Sequence, residues 1–173
     1  MRINDVIEIR PGIIRKVNSG KYTYQPITST ITSLLSENNQ LQIAYPGGLI
    51  GVGTNIDPSI TRADKIVGQI LGKGVLPKVY MEIDIHYVLI NNTLELLKHH
   101  EVIQIHIDSQ CVNARVNHTK SDLARLILDR PACVIKDARF TISRKLGASL
   151  SLSKSWRLAG IGRMIEGQEV EIH

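Results

Sequence analysis

Apolar and polar positions alternate with a period of two along most of this chain, the pattern of strands with one face buried. In "VYMEIDIHYVLI" the alternation points Met81, Ile83 and Ile85 inward and Glu82, Asp84 and His86 outward. In "EVIQIHID", Ile103, Ile105 and Ile107 share one face and Gln104, His106 and Asp108 the other. Further strands are expected at "DVIEIRPG", "PITSTITSLL", "DKIVGQILG", "CVNARV", "ARLIL", "CVIKDARFTISR" and "SWRLAGIGRMIEGQEVEI". Turn signals separate them at barrel-like spacing: Pro11-Gly12, a hairpin turn at Asn18-Ser19-Gly20, and the loop Ser36 to Gln40. "NNTLELLKHH" reads as a short helical turn or an irregular loop. The pattern restarts after "GKGVLPK", so the break between Gly74 and Lys78 predicts two units, 1–76 and 77–173. The expected class is all-β, two small β-barrels in tandem, the first incomplete at its N-terminus.

One stretch departs from this pattern. "YPGGLIGVGTNIDP" places Gly47, Gly48, Gly51 and Gly53 around an apolar pair, although glycine inside a strand costs conformational entropy and packing. A phosphate loop would need a lysine and a serine or threonine directly after its last glycine, followed by a helix. A dinucleotide fingerprint would need a helix opening at its third glycine. Gly53 is followed instead by Thr54, Asn55, Ile56, Asp57 and Pro58, which stop any such helix. The expectation is a turn at Pro46-Gly47-Gly48, a bare strand from Leu49 to Thr54, then a second turn. Such a strand is either a barrel corner or a wall that a backbone or nucleoside can approach closely.

Composition narrows the partners. With 173 residues, 43% hydrophobic and 21% charged, the chain is globular rather than disordered. The formal net charge of +5 makes an anionic partner plausible. No apolar run reaches signal or membrane-span length, so no membrane association is expected. Cys111 and Cys133 sit in apolar contexts and read as reduced core residues of a cytoplasmic protein. His86, His99, His100 and His106 lack the convergent spacing of a metal site, and no Gly-x-Ser-x-Gly elbow or carboxylate pair suggests catalysis. No catalytic residue and no metal ligand is assigned. A basic cluster in the last third, Arg139, Arg144, Lys145, Lys154, Arg157 and Arg163, is either a solvated barrel face or a surface for a nucleic-acid backbone or acidic partner.

Several stretches resemble the second and third domains of the gamma subunit of translation initiation factor two, eukaryotic and archaeal. They are "EIRPGI", "YPGGLIGVGTNIDPSITRADKIVGQILG", "LPKVYMEIDIHYVLI" and "ISRKLGASLSLSKSWRLAGIGRM". The resemblance implies a cytoplasmic trimeric factor that brings methionylated initiator tRNA to the small ribosomal subunit. Its GTP and magnesium are implied for an N-terminal domain that this sequence lacks, so no cofactor is expected here. By position, Gly47, Gly48, Leu49, Ile50, Gly51, Val52, Gly53 and Thr54 match the strand that helps build the pocket for the tRNA's aminoacylated 3′ end. The segment around Arg15, Lys16, Lys21 and Tyr22 matches the region where the alpha subunit docks, the beta subunit being the third member. Arg144, Lys145, Lys154 and Arg157 are the implied RNA or ribosome contacts. Eleven residues, Lys145 to Ser155, separate Arg144 from Trp156, more than is usual in the family. The same barrels in a selenocysteine-specific elongation factor, or a stand-alone protein-interaction module, are the alternatives.

Overall fold

A computed structural model of the chain, described for residues 1–17, 20–90, 95–145 and 155–172, is built almost wholly of β-strands. In the first unit β1 (Val6–Lys16) and β2 (Tyr22–Ser36) pair antiparallel, from Val6 opposite Thr30 to Lys16 opposite Tyr22. β2 is long and rich in threonine and isoleucine, residues that suit a pleated surface. Its C-terminal half also carries β3 (Asn39–Gln40) and β4 (Gly51–Thr54). β5 (Ile70–Gly72) adds to β1. Ile7, Ile31, Leu34 and Ala44 form the buried centre of this sheet, with Ile50, Val52 and Leu71 packed against them.

The second unit is a closed barrel of six strands. They are β6 (Lys78–Leu89), β7 (Val102–Ile107), β8 (Gln110–Lys120), β9 (Leu123–Val134), β10 (Arg139–Lys145) and β11 (Trp156–Glu169). Around the barrel the order is β10, β11, β6, β9, β8, β7, and β7 pairs back onto β10. Of the expected inward residues, Ile83, Ile85, Ile103 and Ile105 are wholly buried, joined by Leu126 and Ile142, whereas Met81 is only half-buried and lines a cleft beside Glu82. On β11 space is so short that a Cβ at Gly162 would lie 2.4 Å from Cε2 of Phe140. The all-β expectation of two tandem units holds. The first unit is an open five-stranded sheet among the described residues, and the second closes completely.

A small seam joins the two. Tyr24 of β2 packs with Val79 of β6 and Cys133 of β9. Its backbone N–H donates to the Glu171 carbonyl at 3.4 Å. The Arg10 guanidinium, ion-paired with Glu8, donates to the carbonyls of Leu76 and Pro77, each at 3.2 Å.

Several expectations are corrected. "DKIVGQILG" pairs only from Ile70, because Ala63, Asp64 and Gly68 all have positive φ and break the extended run before it. Pro58 begins a helical turn, α1 (Pro58–Thr61), rather than preventing one. Proline suits the first helical position, and the Asp57 carboxylate caps it by accepting from Ser59 N–H at 2.8 Å. Cys133 is buried as expected, but Cys111 is exposed. In "QCVNARV" the buried positions are Gln110, Val112, Ala114 and Val116, so period two turns Cys111 outward despite its apolar neighbours. The hairpin turn at Asn18-Ser19 and the start of "NNTLELLKHH" (91–94) lie outside the described residues.

Two outcomes follow from this packing. Ile105→Ala should lower stability by about 2–5 kcal/mol, read as an earlier urea midpoint. Val6→Ala, at an exposed position, should move it by no more than about 0.5 kcal/mol. Burial pushes the Cys133 thiol up to about 11, and its Sγ lies 3.2 Å from the Pro77 carbonyl. A thiol reagent at neutral pH should therefore titrate Cys111 alone in the native protein and both cysteines in urea.

Candidate nucleic-acid interface

The glycine stretch is an exposed ribbon in which two separate reasons account for three of the four glycines. Gly47 (φ +114°) and Gly48 (φ +73°) adopt left-handed backbone with nothing within 4 Å of an added Cβ, so conformation alone selects them. Their turn keeps Leu49 and Ile50 out of the ladder, and pairing starts at Gly51 rather than at Leu49. A Cβ on Gly53 would lie 2.2 Å from Ser33 Oγ and 2.9 Å from Thr32 Oγ1, so close packing on β2 selects that glycine. Gly51 has neither excuse. Its φ is ordinary, it is exposed, and an added Cβ would find Leu35 Cβ at a comfortable 3.6 Å.

Around Gly51 the ribbon is open. Leu49 is 90% exposed and Tyr45 75%, while Ile50 and Val52 turn inward to the sheet core. Thr54 is half-buried, and Asn55 N–H donates to Ser29 Oγ at 3.2 Å, fixing the ribbon's far end. Among the described residues β4 pairs with β2 alone, so its outer edge presents backbone donors and acceptors to an incoming chain.

These residues do not suit a guanine nucleotide with magnesium. No lysine follows the glycines, and the helical turn behind them carries the Asp57 carboxylate at its N-terminus, where phosphate would otherwise sit. Hydrogen bonds from the Ser59 backbone and hydroxyl hold that carboxyl below the usual range, so it stays charged. Among the described residues no three histidines, cysteines or carboxylates converge as metal ligands, and no helix is long and apolar enough to cross a membrane.

The second group of expected residues sits at a hairpin end rather than on a loop. Arg15 and Lys16 close β1 opposite Thr23 and Tyr22 of β2, and the Lys16 ammonium lies 5.7 Å from the Tyr22 ring centre. Arg15, Lys16 and Lys21 are exposed. Lys21 and Tyr22 line a cleft of about 510 Å³ against the barrel, whose opposite wall carries Glu82, Glu169 and Glu171.

The third group separates once structure is known. Arg144 is 8% exposed, and its guanidinium makes a two-pronged pair with Glu101 at 2.5 and 2.9 Å. It also donates to the Glu95 carbonyl at 2.6 Å. Its role is to clasp the segment before β7 onto β10, and it is not available to RNA. The expectation of a contact there is corrected. Lys145 is exposed, its ammonium 4.8 Å from the Trp156 ring centre, and Arg157 is exposed beside them. Lys154 and most of the 145–155 stretch lie outside the described residues. Charge in the sequence could not reveal the clasp, because Glu101 is 43 residues away from Arg144.

An open ribbon in one β unit beside a closed barrel with exposed cations defines a tandem β module. Comparison with known proteins agrees. Residues 82–164 match the family described as "Initiation factor eIF2 gamma, C terminal". The chain is 42% identical over 185 aligned residues, 99% of its own length, to eukaryotic translation initiation factor 2 subunit gamma of Schizosaccharomyces pombe. It is 39% identical over 184, 98% of its length, to eukaryotic translation initiation factor 2 subunit 3 of Drosophila melanogaster. The chain belongs to the initiation factor eIF2 gamma family. It spans 40% and 38% of the lengths of these two relatives.

Arg144→Ala should cost about 3–5 kcal/mol by leaving the Glu101 carboxylate without its partner. Lys145→Ala should cost under about 1 kcal/mol. Thermal melting of the two variants side by side measures the difference.

Proposed function

We propose that this chain supplies the two β units of a translation initiation factor 2 gamma subunit that help hold the methionylated 3′ end of initiator tRNA. The observation that carries the reading is Gly51, a glycine that neither backbone conformation nor packing requires, in an exposed ribbon of a chain similar to two gamma subunits over nearly its whole length. An unpaired adenosine bearing a methionyl ester binds by stacking, by close apolar contact and by bonds to its ribose hydroxyls. Gly51 gives such an end access to the backbone, Leu49 and Leu35 offer apolar surface beside it, and the free edge of β4 offers donors and acceptors.

Partner assembly belongs to the same proposal. The hairpin end with Arg15, Lys16, Lys21 and Tyr22 is the surface for the alpha subunit, and Lys145 with Arg157 faces RNA of the small ribosomal subunit. The beta subunit, GTP and magnesium engage the intact factor outside the surfaces described here. This chain contributes no hydrolysis of its own.

In the intact factor, Gly51→Leu should weaken methionyl-initiator-tRNA binding by about 1–3 kcal/mol, the scale of one lost stacked base. Filter binding measures this, with uncharged initiator tRNA and an elongator tRNA as controls. The fold should be unaffected, since the new Cβ makes ordinary contacts. Native circular dichroism with unchanged affinity would remove the 3′-end assignment.

A further inference from the structure

We infer that the outer wall of the barrel formed by β6 and β11 is a docking surface for an acidic partner-protein segment bearing large apolar side chains. Val88 and Ile161 are direct cross-strand partners on this wall. Ile90 adjoins them, its N–H donating to the Ala159 carbonyl at 2.9 Å, and Leu158 lies next to Ala159. All four aliphatic side chains are more than half exposed. Elsewhere on the same strands the outward positions are mostly polar, with Glu82, Asp84 and His86 on β6 and Arg163 on β11, Ile165 being a less exposed exception. The aliphatic run is therefore a local break in the alternation, grouped on adjacent strands rather than scattered, and grouped exposed apolar surface marks interaction sites.

Charge around the wall selects the occupant. One rung below Val88 and Ile161, His86 faces Arg163 and Arg163 faces Arg139. His86 is answered by Asp122 at 2.6 Å, and Arg163 by Asp137 at 3.0 Å. Arg139 has no acidic partner among the described residues, and it is exposed. Arg139 lies diagonally across from Ile161, because its strand places Thr141 opposite Ile161. Arg157, the residue before Leu158, pairs with Arg144 at the barrel's end and turns to the opposite face, so it lies off this wall. An apolar centre with the uncompensated Arg139 guanidinium at its rim suits apolar anchors flanked by a carboxylate. RNA fits poorly, since four aliphatic groups offer phosphates no donor and bases no π-face. A second copy of this chain fits poorly as well, since it would set arginine against arginine.

The test begins with a random-peptide phage library panned on the full chain, with Ile161→Asp protein for counter-selection. Enriched peptides are then measured by fluorescence anisotropy. They should be net negative with two or more Leu, Ile, Phe or Trp residues. Binding should fall by roughly tenfold or more with Ile161→Asp, and also with the milder Val88→Ser, as expected for central anchors. Arg139→Glu should weaken it by roughly threefold and flatten its salt dependence, as expected for a charged rim. Absence of enrichment, enrichment of basic sequences, or equal binding to both apolar variants with native circular dichroism would each overturn the inference. So would sedimentation showing that the chain dimerises through this wall, or loss of binding to a labelled RNA oligonucleotide in Ile161→Asp and Arg139→Glu alike.

Discussion

Closure of the six-stranded ladder is the constraint on which the rest of this molecule depends. Backbone donors and acceptors must be paired once they leave water, and a barrel pairs them without leaving an edge. The last strand, β11, completes the circuit by pairing with β6 on one side and β10 on the other. To fit between them it gives up side chains at three points. An added Cβ would lie 2.5 Å from the Val88 carbonyl at Gly160, against the Phe140 ring at Gly162, and 2.5 Å from the Glu82 carbonyl at Gly167. Closure also fixes which residues turn outward. Val88 and Ile161 face solvent because their neighbours Tyr87 and Gly162 must face in.

The two units illustrate two uses of glycine. On β11 glycine is demanded by neighbours that have no room to yield. On the ribbon one glycine of four, Gly51, is free of any local demand, and that contrast makes it the residue to question for function. The arginines sort in the same manner. Arg144 is consumed in holding the segment from Glu95 to Glu101, whereas Arg139 and Arg157 remain exposed. A count of positive charges would treat all three alike.

Much of the barrel was legible in the sequence because burial of one face writes itself as period two. Ile83 with Ile85, and Ile103 with Ile105 and Ile107, were all assigned inward by alternation and are all buried. Alternation says nothing about partners distant along the chain, so the Arg144–Glu101 pair was invisible and Arg144 was misread as a surface contact. Cys111 was misplaced because its apolar neighbours were weighed more heavily than its parity. Between Asp57 and Gly72 the sequence carried strand-like residues, but positive φ at Ala63, Asp64 and Gly68 bends the backbone away from pairing. Only tertiary context decides such residues. At the ribbon, the sequence marked the right segment without distinguishing glycines required by φ, by packing, or by neither.

The bonds from Arg10 to Leu76 and Pro77 have a mechanical consequence. A hinge requires a few residues whose dihedrals can swing freely. The short connector leaving β5 has its last two carbonyls tied back to β1, and Tyr24 is wedged against the barrel's first strand just beyond it. Those ties act as a tether on the connector: they oppose the swing of one unit against the other, and a partner that pulls the units apart must first break them.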